Sequence, residues 1–260
     1  MRPSAAAEVV ISGGGWRLPR EAIIALLVLL VLWELASRNA AVLGVPAFAI
    51  PSLERIAKSL ITVTWVDVVV TVARVLGALL CSFALAALIA IWMYCVPRVE
   101  RYAYPLVRLL MAVPVISWIL FAVLWFKHVE FRIGFVLVAV CGPLFLVDML
   151  SSMKGVSKEL RDMIHSFRPS TSQLFRKLML PAILPALLTS WKINLSLAIR
   201  VVTIAELVGA VTGMGHQLSV AQELFSVADV FAWTLVLVAV LFALEAVLNQ
   251  IEARVLRWRV

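Results

Sequence analysis

The sequence predicts an all-α membrane protein with six transmembrane helices. Three observations carry that prediction. Hydrophobic residues fill 63% of the 260 positions and charged residues only 15%, against roughly 25% charged in an ordinary soluble domain. Mean hydropathy is +1.04. The apolar residues also gather in continuous runs of roughly 20, the length of a spanning helix, where barrel strands would alternate over about ten positions. In lipid the backbone must satisfy its own hydrogen bonds, so only helices and closed barrels span, and continuous runs select helices. A soluble fold is excluded because a folded chain of this size still exposes about a quarter of its extended surface. A disordered chain, a soluble nucleic-acid binder and a small disulfide scaffold are excluded with it.

A leader of residues 1–20 comes first. It holds Arg2, Arg17, Arg20 and a Gly13-Gly14-Gly15 run that lacks the lysine of a phosphate-binding loop. The runs then fall at about 21–37, 68–93, 105–126, 130–152, 185–211 and 229–250. The first is interrupted by Glu34. Its basic flank is compatible with a cleaved signal peptide, but the long leader with Glu8, and the lack of a compact cleavage site, favour a retained helix. Pro114 in the third run removes a backbone hydrogen bond and predicts a kink. Residues 251–260 form a basic tail, so the organisation reads as leader, a six-helix domain over 21–250, and tail.

Charge gives the orientation. With the N-terminus inside, segments 1–20, 94–104, 153–184 and 251–260 carry 3, 2, 6 and 3 Lys or Arg, against Arg38, Arg55, Lys58 and Lys127 outside. Basic residues stay on the cytoplasmic side, so both termini are expected there. The net charge of +8 is thereby explained without a nucleic-acid partner. Cys81, Cys95 and Cys141 lie in or at the end of apolar runs without metal spacing and read as small buried hydrophobes. His128, His165 and His216 are scattered.

The loop 153–184 is the largest on the inner side. Leu160, Ile164 and Phe167 recur at i, i+4 and i+7 among charges, which predicts a short amphipathic helix capped by Ser157. Arg168-Pro169 breaks it. Ser170-Thr171-Ser172-Gln173 fits a capping box for a second short helix through Leu174, Phe175 and Leu178, stopping before Pro181. Two readings stand level on physics alone: a docking element, or a helix that lies on the membrane surface.

On the fifth run, Lys192, Ser196, Arg200, Thr203 and Glu206 fall within an arc of about 120° at 100° per residue. Charges inside spans face protein or water. Ser196, Arg200, Thr203 and Glu206, with Pro114 at a kink, are the candidate translocation-path residues. The plainer alternative is that Lys192 snorkels to the headgroups while Arg200 and Glu206 pair with neighbouring helices. Arg74 and Asp148 are the other charged candidates, either as an interhelical pair or separately.

The stretch ELRDMIHSFRPSTSQLFRKLMLPAILP at 159–185 resembles the cytoplasmic loop of ABC importer permeases, and is closest to the nitrate, sulfonate and taurine group. LWELAS at 32–37, TVARVLGALL at 71–80, YPLVRLLMAVPVISWILFAVLWF at 104–126, AELVGAVTGMGHQL at 205–218 and the Arg-Trp tail extend the likeness along the chain. The resemblance implies a type I ABC importer permease fold, with a coupling-helix loop between the fourth and fifth spans. Asp162, Met163, Ile164, His165, Phe167, Arg168, Pro169, Ser170, Leu174 and Phe175 would meet the ATPase there. Asp162-Met163-Ile164 stands where the family has Glu-Ala-Ala, and Arg168 where it has glycine. The resemblance further implies two ATPase subunits carrying ATP and Mg, no cofactor in this chain, a soluble extracytoplasmic binding protein, and a bacterial inner-membrane location. With no internal repeat, a second copy of the chain completes the path. The implied solute is a small anion such as nitrate, a sulfonate or taurine, with a vitamin-precursor heterocycle as the alternative. A non-transporting membrane enzyme or regulator on the same scaffold is the other class of function.

Overall fold

The computed structural model describes residues 20–39, 46, 49–167 and 170–257. The leader apart from Arg20, the residues Arg168 and Pro169, the side chain of His165 and the end of the tail lie outside what it describes. All regular elements among the described residues are helical. They are α1 (Arg20–Arg38), α2 (Leu53–Ile61), α3 (Trp65–Cys95), α4 (Pro97–Ala112), α5 (Val115–Trp125), α6 (Val129–Lys154), α7 (Lys158–His165), α8 (Thr171–Leu174), a π-helical turn (Phe175–Met179), α9 (Leu180–Gly209), α10 (Met214–Glu223) and α11 (Val227–Val255).

The chain forms two compact units, residues 1–55 and 56–260. In the first, α1 hands its polar groups to the segment that follows it. Trp33 Nε1 donates to the Pro51 carbonyl at 3.0 Å and Ser37 Oγ to that of Ile50 at 2.9 Å, while Glu34 accepts from Arg38 and from the Leu53 amide.

In the second unit α3, α6 and α9 make the core, with the most extensive contact between α3 and α6. Leu79, Ala90, Met93, Leu137, Cys141, Ala198 and Val202 are fully buried there. Phe83, Phe145 and Trp191, one from each helix, meet with ring centroids 5.3–5.4 Å apart. Cys141 is the buried small hydrophobe expected, but Cys81 and Cys95 are exposed on this chain.

Four helical segments are long and apolar enough to cross a membrane: α3, α6, Phe175–Gly209 and α11. The pair α4 and α5 makes a fifth if the two are taken as one bent span. The predicted first span is a 19-residue helix, but it carries Arg20, Glu21, Glu34 and Arg38 and does not join that set.

The predicted third span is not continuous. Val113 precedes a proline and is pushed into an extended conformation (φ −73°, ψ 126°), so α4 ends and α5 starts afresh at a bend of 93°. A kink was expected at Pro114, and the proline instead separates two helices. The second short helix of the inner loop does not stop before Pro181 either. A proline ring presses on the carbonyl four residues back. The π-helical turn takes in an extra residue just there, with the Leu180 amide reaching back to the Phe175 carbonyl. The chain passes unbroken into α9, which starts five residues before the predicted 185.

Candidate functional site

The C-terminal end of α9 is held by a buried polar cluster. Asp67, Thr71 and Arg74 stand at i, i+4 and i+7 on one face of α3. Facing them is Glu206, whose side chain is fully buried. Arg74 Nη1 donates to Glu206 Oε1 at 2.7 Å, and Thr71 Oγ1 lies 2.8 and 2.9 Å from the two carboxylate oxygens. The turn after α9 closes the cluster: the Gly215 amide donates to Glu206 Oε2 at 2.9 Å, the Met214 amide to Thr71 Oγ1 at 2.9 Å and the Gly213 amide to Asp67 Oδ1 at 2.8 Å.

Two glycines allow this closeness. Gly213 has φ 110°, a conformation side chains resist, and a Cβ there would collide with the Glu206 carboxylate. A Cβ on Gly215 would overlap the Thr203 carbonyl and lie 2.7 Å from Glu206 Cβ. Arg74 also donates to the Thr212 carbonyl at 2.7 Å and to Glu130 at the start of α6, so one guanidinium ties α3, α6 and the 210–215 turn together. A buried carboxylate with three donors, Thr71, Arg74 and the Gly215 amide, is a satisfied group. Glu206, expected on the path beside Arg200, is held inside the chain, and the alternative of a neighbouring-helix partner describes it.

The other stripe residues differ. Arg200 is exposed on the middle of α9, with a single 3.3 Å hydrogen bond to Ser196 Oγ. Thr203 is half-buried and returns its hydroxyl to the Ile199 carbonyl at 2.7 Å. Lys192 is ion-paired with Glu252 on α11. Asp148 is not paired with Arg74. It accepts from Ser190 Oγ at 2.5 Å, linking α6 to α9. Pro114 is exposed at the α4–α5 break, and a small apolar cavity lined by Val113, Val115 and Leu197 brings that break beside α9.

Before α9 the 153–184 loop folds as its caps dictate. Ser157 Oγ accepts from the Leu160 amide, and Ser170 and Gln173 exchange side-chain and backbone bonds in a reciprocal box at 3.0 and 3.3 Å. Of the apolar residues expected to meet the ATPase, Ile164, Leu174 and Phe175 pack against this chain's own core. Leu160, Met163 and Phe167 face out, the last 79% exposed. Asp162 and Ser170 are exposed beside them.

Sequence reasoning missed three acidic residues, Glu130, Glu245 and Glu252, because only basic residues were counted for orientation. It also missed the Arg74–Glu206 pairing, whose signal was the i, i+4, i+7 row on α3 opposite a Glu-x-x-Gly. Among the described residues no group of three or more His, Cys, Asp or Glu stands close enough to hold a metal.

Residues 82–257 match the family of binding-protein-dependent transport system inner membrane components. The chain is 26% identical to the formylaminopyrimidine transport permease of Halalkalibacterium halodurans, over 90% of this chain and 93% of that one. It is 25% identical to the taurine transport system permease of Escherichia coli, over 94% and 92%. It is 22% identical to the riboflavin transport system permease of Chloroflexus aurantiacus, over 90% and 88%. These relatives are transport permeases rather than enzymes, and the family is one whose members work with an ATPase and a substrate-binding protein. A multi-pass helical chain with a capped 157–174 loop and a braced 210–215 turn therefore belongs to the family of inner-membrane components of binding-protein-dependent transport systems, the permeases of ABC importers.

Proposed function

We propose that this permease works as one of two identical copies, with two ATPase subunits that bind ATP and Mg on the cytoplasmic side and a binding protein that delivers solute from outside. Six spans, with α1 the first and the bent α4–α5 pair the third, put both termini in the cytoplasm and leave 251–260 as an inner tail. The leader of residues 1–20 precedes them.

The observation that carries this reading is the outward face of α7. An amphipathic helix that leaves Leu160, Met163 and Phe167 uncovered at the inner end of the bundle gains by lying in a groove of a partner. Asp162 stands at the rim of that dock and Ser170 follows the bend, while Ile164, Leu174 and Phe175 form the base that presses α7 onto the chain; Arg168, Pro169 and the side chain of His165, expected to take part, lie outside the described residues. The path runs along the exposed face of α9 past Ser196, Arg200 and Thr203, with the break at Pro114 as its flexible neighbour. A guanidinium exposed on an apolar helix requires water or a partner, and a second copy across a two-fold axis supplies both.

The solute is a small molecule with an anionic group, for which Arg200 offers a forked donor set. The taurine permease among the relatives supports that class, and the two relatives named for heterocycles keep a vitamin-type solute as the second reading. Native mass spectrometry of the affinity-purified complex tests the assembly: two permeases with two ATPases are expected, and a single permease that hydrolyses ATP would refute it. Purifying the binding protein of the same complex and identifying its bound molecule by mass spectrometry tests the solute class. A neutral heterocycle there would reject the anion.

A further inference from the structure

Both α9 and α11 carry a row of polar residues, and the two rows meet at one pair. Lys192, in the first half of α9, is ion-paired with Glu252 near the end of α11. The outer end of α9 and the start of α11 are joined through α10, which packs on both, so the two helices run antiparallel. The Lys192–Glu252 contact then fixes their register. Each residue gained along α9 matches one lost along α11, at 1.5 Å per residue.

Arg200 stands eight residues beyond Lys192, and Glu245 seven residues before Glu252. Both are about 11–12 Å further out at that rise. At 100° per residue Glu245 is about 20° from Glu252 around α11, so α11 presents it to α9 much as it presents Glu252. It flanks the inward row of Leu237, Leu241, Leu244 and Leu248. Ser196 and Asn249 occupy the level between.

Neither charge is satisfied. Glu245 is half-buried within an apolar helix and has no hydrogen bond or ion pair among the described residues. Arg200 has only its 3.3 Å bond to Ser196, although a guanidinium carries five donors. The basic residues of α3 and α6 lie toward the helix ends: Arg74 in the outer brace, Arg132 on the Phe126 carbonyl and Lys154 on Glu100. Arg200 is therefore the one basic side chain at the level of Glu245 among the described residues of α3, α6, α9 and α11. It lies about 80° around α9 from Lys192, an offset its long stem covers by turning away from Ser196.

We propose that Glu245 is the counter-charge of Arg200, a positioning residue that forms a second rung above Lys192–Glu252 and sets where the Arg200 guanidinium stands. The pairing depends only on the register of α9 and α11; its bearing on transport rests on the path reading given above.

The test uses the complete complex in proteoliposomes. With Cys81, Cys95 and Cys141 replaced by alanine, R200C with E245C is treated with a short bismaleimide, and K192C with E252C serves as the control pair. An intrachain cross-link at both pairs is expected; a cross-link at 192–252 without one at 200–245 overturns the proposal. In the second arm, with Mg-ATP as the only added solute, E245Q and R200Q are each expected to change the ATP hydrolysis rate about tenfold. The swap R200E/E245R is expected to bring it back toward wild type. Single variants at the wild-type rate, or a swap no better than the singles, reject the positioning role. Cross-linking and swap rescue in a complex that proves not to import would fault the transport reading and leave the pair standing.

Discussion

The two ends of α9 solve opposite problems. At the C-terminal end a carboxylate that has no place in lipid is enclosed by Arg74, Thr71 and the Gly215 amide, and every donor around it is used. In the loop that leads into the N-terminal end the polar groups are satisfied locally by caps, and it is apolar side chains, Met163 and Phe167 above all, that are left uncovered. A polar group closed within the chain belongs to the fold. On the proposed reading, an apolar group left open on α7 belongs to a partner. That reading gives the Glu206 cluster to stability and the 153–184 loop to assembly, and each substitution below is a way to separate the two.

The largest effect is expected from Arg74→Ala. It strips the cation from a fully buried carboxylate, a loss of about 3–5 kcal/mol in comparable buried pairs. Thermal unfolding of the purified chain in detergent would show it, together with a lower folded yield. An unchanged melting temperature would mean that water reaches Glu206.

Phe167→Ala is expected to act the other way round. The chain should unfold at the wild-type temperature, while affinity for the ATPase falls by about 2 kcal/mol, the scale of an interface anchor. Co-purification and a titration with the isolated ATPase would measure it. Ile164→Ala should reverse that pattern, because Ile164 lies against the core of this chain.

Ser157→Ala removes the cap of α7 and is expected to destabilise that helix by about 1 kcal/mol. Faster amide hydrogen exchange confined to 158–165 would be its signature. The smallest effect belongs to Glu252→Gln. Both partners in its ion pair with Lys192 are about 30% exposed, and such pairs contribute about 1 kcal/mol or less. A melting shift larger than that of Ser157→Ala would contradict this ordering.

How much of this was legible in the sequence depends on whether the signal was periodic or paired. The apolar runs of α3, α6, α9 and α11 announced themselves, and so did the caps at Ser157 and Ser170, because each is written in neighbouring residues. The break at Val113 was half legible: proline marks the place, but whether a helix kinks or ends there depends on how its neighbours pack. The short helices α2 and α10 were missed because neither is long or apolar enough to stand out from a loop.

The candidate site divides in the same way. Lys192, Arg200 and Glu206 share a stripe on one helix, and the stripe is real. What separates them is the partner on another helix: Glu252 for Lys192, Arg74 for Glu206. Arg74 and Glu206 are 132 residues apart, and no local pattern joins them. The row on α7 is only half legible for a related reason. The i, i+4, i+7 row of Leu160, Ile164 and Phe167 marks an amphipathic helix, but not which flank the chain covers for itself.

A double-mutant cycle on Arg74 and Glu206, read by unfolding in detergent, tests the central claim most directly. With Arg74→Met, Glu206→Gln and the double variant compared, the brace predicts that the double loses less than the two singles together. The coupling should be about 2–3 kcal/mol, at the upper end for groups in one network. Additive losses, with Glu206→Gln as stable as wild type but unable to import, would contradict the account and put Glu206 on the path.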